Sequence, residues 1–233
     1  MGVKRIYNDD SEGLAKLREL NCCETEHAHQ KLFKYQSPID LRGLTDVKID
    51  KSLALDFNYG KQVFEQIIFA NAFHLVPMDK VSYLNFEGLR YDLVDIHVHF
   101  PSEHIIEETN SEFEVHFVHD DHEGHKLVVG VLFNTAPAEF IIKNELRRHV
   151  IMDEFLGQGE IFFNPEKYIP KNSTFFHLIG SLTTPPYSGP VLWFVMDTIA
   201  VANRKMVDLV KQNVPINNNR HPYPLAKRQV WHN

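Results

Sequence analysis

The run Asp95-Ile96-His97-Val98-His99-Phe100 alternates polar and apolar side chains at every step. In an extended strand successive side chains point to opposite faces, so Asp95, His97 and His99 share one face and Ile96, Val98 and Phe100 the other. Glu114-Val115-His116-Phe117 has the same period. A third imidazole from a neighbouring strand completes a three-nitrogen set with one position open. That is the ligand pattern of catalytic zinc, whereas structural zinc sites are closed and usually carry cysteine. This chain has only Cys22 and Cys23.

With 14 histidines in 233 residues, a His-x-His pair can arise by chance and merely cover a polar strand face. The neighbours distinguish this one. Asp95 precedes His97 by two residues and Glu114 precedes His116 by two, each on the same strand face as its histidine. Such carboxylates can accept the ring N–H that faces away from a metal, fixing the tautomer and the ring orientation.

Runs rich in Val, Ile, Phe and Leu recur at residues 66–70, 126–133 and 191–195, bounded by Gly, Pro, Asn and Asp, and read as strands. Helices are expected at residues 137–155 and around 203–211. Near the N-terminus Leu14, Leu17 and Leu20 have helical spacing and precede a polar, histidine-rich loop. The pattern is that of a mainly β (α+β) protein with few, short helices. We divide it into a divergent N-terminal segment, 1–35, and a single domain, 36–233. With 43% hydrophobic and 24% charged residues, the chain is long enough to bury one sizeable core.

A net charge of −7 argues against a nucleic-acid or anionic-membrane partner. No apolar run reaches the length of an integral membrane segment, and residues 1–10 lack the hydrophobic stretch of a secretory signal. Ile6 stands where a myristoylation signal needs Ser or Thr. Adjacent Cys22 and Cys23 would form only a strained bridge. Reducing surroundings and an intracellular location, cytoplasmic or organellar, are therefore expected.

Several motifs together resemble the alpha-class carbonic anhydrases, with a short segment between His99 and His116 closer to the bacterial, plant and protist members than to the vertebrate ones. They are Gln36-Ser37-Pro38-Ile39-Asp40, the run from Tyr91 through His99, Pro101-Ser102-Glu103-His104, and Phe113-Glu114-Val115-His116-Phe117-Val118-His119. Gly180-Ser181-Leu182-Thr183-Thr184-Pro185-Pro186, Val191-Leu192-Trp193 and Asn218-Asn219-Arg220 follow in the family's order.

The resemblance implies a large, twisted, mostly antiparallel central sheet with Zn2+ on His97, His99 and His116 at the bottom of a conical cavity. Asp95, Glu114 and Asn218 would support the ligands. It implies reversible hydration of carbon dioxide to bicarbonate and a proton by zinc-bound hydroxide. Thr183 would orient the hydroxide, with its own hydrogen accepted by Glu103. Val118, Val128, Leu182, Val191 and Trp193 would form the apolar wall, although each also reads as ordinary core, and Thr184 would line the substrate side. His104 and His119 match positions with structural, hydrogen-bonded roles.

The chain also departs from the family pattern. Asn71 occupies the position of the usual proton-shuttle histidine, and His74 is either a candidate relay in its place or a surface or packed histidine. Asp95 stands where the family has a neutral amide, and the aromatic cluster of the family's N-terminal region is missing. Proton transfer is therefore expected to limit turnover. An alternative is a carbonic-anhydrase-like subunit with an assembly role and little turnover, meeting protein partners through the unusual N-terminus. Another zinc hydrolase is a third reading, but the chain has no H-E-x-x-H helix.

Overall fold

The structure is a computed structural model that describes residues 33–137, 149–150 and 159–233. Its strands in chain order are β1 (Val47–Ile49), β2 (Asp56–Asn58), β3 (Gln62–Phe69), β4 (Ala72–Pro77), β5 (Tyr83–Phe86), β6 (Leu89–His99) and β7 (Phe113–Asp120). They continue with β8 (Lys126–Ala136), β9 (His149–Val150), β10 (Gly159–Phe163), β11 (Phe175–Gly180), β12 (Val191–Met196), β13 (Ala200–Asn203) and β14 (Val230–His232). All join one sheet, whose main path runs β1-β14-β11-β12-β8-β7-β6-β4-β3-β10. Pairing is antiparallel except where β1 meets β14, β12 and β13 meet β8, and β9 meets β13. The fold is the mainly β, mostly antiparallel sheet expected.

Both faces of the central strands are buried, and the period of two sorts their side chains between two cores. Ile96, Val98, Val115, Phe117, Val129, Val131 and Phe194 belong to the larger one. Val118, Val128, Leu132, Trp193 and Val195 belong to the smaller one, on the opposite face. His97 and His99 of β6 and His116 of β7 lie on the face of the smaller core, while His119 lies on that of the larger. That follows from a β-bulge: the β6–β7 register shifts between Leu93 and Asp95. Leu93 packs into the larger core and Val94 against the smaller. The extra residue lets Asp95 follow Val94 on the same face, and alternation then carries His97 and His99 with it.

One helix, α1 (Arg204–Lys211), occupies the second expected position, and Val207 and Val210 anchor it to the larger core. The helix expected over 137–155 falls mostly outside the described residues. Within that range His149–Val150 form a strand, so the helical reading fails there. Parallel pairing to Val201 and Ala202 supplies the backbone partners that helical hydrogen bonds would otherwise have provided. The helix expected near Leu14 lies outside the described residues. Among the described residues no helix is long and apolar enough to cross a membrane.

Candidate metal centre

Strand pairing sets His97 opposite His116, His99 opposite Glu114, and His74 opposite His97. Residues paired directly share a face, which brings three imidazoles from two strands together. Each has one ring nitrogen committed. His97 Nδ1 donates to Asp95 Oδ2 at 2.6 Å, His99 Nδ1 to the Asn218 carbonyl at 3.2 Å, and His116 Nε2 to Glu114 Oε1 at 3.0 Å. A neutral imidazole that donates from one nitrogen keeps a lone pair on the other. The lone pairs therefore sit on His97 Nε2, His99 Nε2 and His116 Nδ1.

These atoms fit a tetrahedral cation. One nitrogen from each ring lies within 4.8 Å of the others, and His116 Nδ1 is 3.2 Å from His97 Nε2. Zinc–nitrogen bonds of 2.0–2.1 Å at tetrahedral angles separate ligand nitrogens by about 3.3 Å. His99 Nε2 is buried with no hydrogen-bond partner, a cost that a metal would remove. Burial pushes the three rings below the ordinary histidine range, His99 to about 3, which keeps them neutral and able to ligate.

Glu114 is the most heavily bonded side chain of the site. Its Oε2 accepts the backbone N–H of Glu103 and of His104, each at 2.8 Å, and its Oε1 accepts His104 Nδ1 at 2.8 Å besides His116. Burial works to raise its carboxyl, but His104 and His116 override that and hold it well below the usual range. Gly130, paired with His116, makes the arrangement possible, since a Cβ there would stand 2.7 Å from Glu114 Oε1. The sequence gives no sign of that requirement; only register reveals it.

Asn218 closes the other side. Its Oδ1 accepts the Phe100 N–H at 2.8 Å, and its Nδ2 donates to the carbonyls of Val98 at 3.0 Å and Asn71 at 3.1 Å. It thereby ties the end of β6 to the β3–β4 turn, where Asn71 is exposed in the left-handed region at φ 61°.

Glu103 is fully buried, and burial raises its carboxyl above the usual range. Its Oε1 accepts the Arg220 N–H at 2.7 Å. The Thr183 hydroxyl lies beside the carboxylate and favours its charged form, yet Oε2 has no partner within ordinary hydrogen-bond geometry. The Thr183 loop is braced from beneath: Ser181 Oγ accepts the Ser37 N–H at 3.0 Å, and Trp193 Nε1 donates to the Ser181 carbonyl at 2.9 Å. Ser37, in the first motif, thus acts as a support for that loop.

The five residues expected to form the wall, Val118, Val128, Leu182, Val191 and Trp193, are buried in the smaller core, with the Trp193 ring 4.9 Å from that of His116. Thr184 is half-buried beside them in sequence. His104 and His119 are buried and hydrogen-bonded, His119 to the Leu127 carbonyl at 3.2 Å and to Tyr59 Oη at 2.6 Å.

His74 differs from its expected position. It is 4% exposed, its Nδ1 lies 3.0 Å from both Asp95 oxygens, and its Nε2 lies 3.2 Å from the Phe69 carbonyl. With each nitrogen facing an oxygen of the protein, the ring is held at both ends. Of the roles open to it in the sequence, the structure shows a packed histidine, partnered with Asp95.

Residues 23–233 match the family described as eukaryotic-type carbonic anhydrase. Alpha carbonic anhydrase 3 of Arabidopsis thaliana is 30% identical over 86% of this chain and 74% of its own length. A carbonic anhydrase of Nostoc is 30% identical over 84% of this chain and 74% of its own. Among solved structures, the alpha-carbonic anhydrase of Thermovibrio ammonificans in complex with the inhibitor sulfanilamide aligns with a TM-score of 0.70 at 31% identity, over 85% of this chain and 87% of that one. By sequence and by fold, the chain belongs to the eukaryotic-type, alpha-class carbonic anhydrases.

Proposed function

We propose that this carbonate dehydratase binds zinc through His97, His99 and His116, and that its hydration of carbon dioxide to bicarbonate and a proton is limited by proton export. One observation carries the reading. Three imidazoles present unprotonated nitrogens to a common point, and the buried His99 Nε2 has no partner there. A bound zinc ion supplies Lewis acidity that makes water nucleophilic at neutral pH.

The chain's own groups do the rest. Asp95, Asn218 and Glu114 fix the three rings. With its hydrogen turned to Glu103, the Thr183 hydroxyl offers the nucleophile only a lone pair, so the nucleophile's hydrogen points to Thr183 and its own lone pair to carbon. The substrate is small and apolar, which suits the wall of Val118, Val128, Leu182, Val191 and Trp193. Asn71 has no titratable proton and His74 has both nitrogens engaged, so buffer must collect the proton released.

Zinc content and carbon dioxide hydration, measured for wild type and His99→Ala, test the proposal. Zinc-dependent turnover lost in the variant is expected; zinc bound without turnover by wild type would favour the assembly role. In stopped-flow hydration, rising imidazole should raise the rate, and an unchanged rate would refute the limitation by proton export.

A further inference from the structure

The buried dyad behind His97 goes beyond what the zinc reading requires. Asp95 is 2% exposed and His74 4%, on adjacent strands β6 and β4. Asp95 Oδ2 accepts His97 Nδ1 at 2.6 Å while both its oxygens face His74 Nδ1 at 3.0 Å. His74 Nε2 in turn points at the Phe69 carbonyl at 3.2 Å. Each nitrogen of His74 thus faces an oxygen of the protein, one on β6 and one at the end of β3. Asp95 and His74 form a buried hydrogen-bonded pair whose carboxylate also meets a ligand ring.

A lone carboxylate at this depth would be poorly solvated, and it could swing toward whichever donor lay nearest. His74 removes that freedom. It reaches the carboxylate across the strand pair and is itself held by the β3–β4 turn through Phe69. The carboxylate plane is then fixed with Oδ2 toward His97, and His97 Nε2 points to the common centre. Neither residue touches that centre, so any effect on metal passes through His97.

We propose that His74 is a positioning residue for the metal site, acting with Asp95 as one unit that fixes the His97 ring. This rests on zinc binding at His97, His99 and His116. It predicts coupling: loss of either member strands the other's hydrogen-bonding group, while loss of both leaves two asparagines, and the amide oxygen at 95 can still accept His97 Nδ1.

The test is a double-mutant cycle on the zinc dissociation constant, measured by competition with a chromophoric chelator for wild type, His74→Asn, Asp95→Asn and the double variant. Melting temperatures of the metal-free proteins are recorded alongside. Each single variant should bind zinc about 10- to 100-fold more weakly, and the double variant should recover about tenfold or more over the weaker single.

Losses that multiply in the double variant would overturn the proposal. So would melting temperatures that fall by several degrees with zinc affinity unchanged, since that describes a pair that only stabilises the fold. A wild type that binds no zinc would instead overturn the reading of the metal centre itself, on which the dyad's role depends.

Discussion

Replacing Glu114 by glutamine exchanges one oxygen for an NH2 group, and the surroundings leave that group no good orientation. Four donors meet the carboxylate, two at each oxygen. If the amide nitrogen took the place of Oε2, it would face the backbone N–H groups of Glu103 and His104, which cannot change protonation. Two buried donors would then oppose a third, at about 1–3 kcal/mol for each bond lost. Glutamine will therefore turn its oxygen to the backbone and its nitrogen to the histidines.

His104 can adjust by moving its proton to Nε2. His116 can do so only by placing a proton on Nδ1, the atom that faces His97 Nε2 at 3.2 Å. That tautomer cannot bind a metal through Nδ1. Zinc binding would have to drive the proton back to Nε2, against the amide, at about 1–3 kcal/mol. The expected result is a zinc affinity lower by about 5- to 150-fold, since 1.4 kcal/mol is a factor of ten. The melting temperature of metal-free protein should change less, because both histidines can satisfy the amide in that state. Chelator competition and thermal melts measure the two quantities. Zinc affinity within threefold of wild type would refute the tautomer argument.

Gly130→Ala places a methyl 2.7 Å from Glu114 Oε1; overpacking should cost about 1–3 kcal/mol, read as a lower midpoint in urea, with weaker zinc binding. Thr183→Val should lower carbon dioxide hydration by about 100-fold with zinc content unchanged, and equal loss of both would show that Thr183 only supports the fold. Zinc at about 1,000 times its dissociation constant should stabilise the protein by about 4 kcal/mol, so chelation should lower the melting temperature by about 8–16 °C. Acid should also destabilise the metal-free protein. His119 is buried and held to about 3 against 6.5 for a free side chain, so its contribution is present above 6.5 and lost as pH falls toward 3. Glu114, whose carboxyl is depressed, adds a loss below 4.5, while Glu103, raised by burial, opposes with the reverse sign. Melting temperatures at pH 7, 5.5, 4.5 and 3.5 should fall monotonically, and a flat profile would contradict this environment for His119.

The parts of the site readable from sequence lie within one strand. Asp95, His97 and His99, and likewise Glu114 and His116, are related by the period of two, a property of a single extended chain. The relations that the sequence did not reveal are those between strands. Gly130 matters because it pairs with His116, and His74 because it pairs with His97. The bulge between Leu93 and Asp95 shifts every later residue of β6 against β7, yet nothing in Leu93-Val94-Asp95 announces it.

The same distinction applies to His74. From sequence, a histidine three residues after Asn71 could serve as a proton carrier, and only pairing against β6 brings it to Asp95. The charge at 95 and the imidazole at 74 then explain each other. A carboxylate in place of a neutral amide needs a second donor once His97 has taken one oxygen, and the side chain opposite His97 is the one positioned to provide it. Two residues that look independent along the chain are therefore one unit across the sheet. A variant that replaces only one of them by asparagine should bind zinc more weakly than a variant that replaces both.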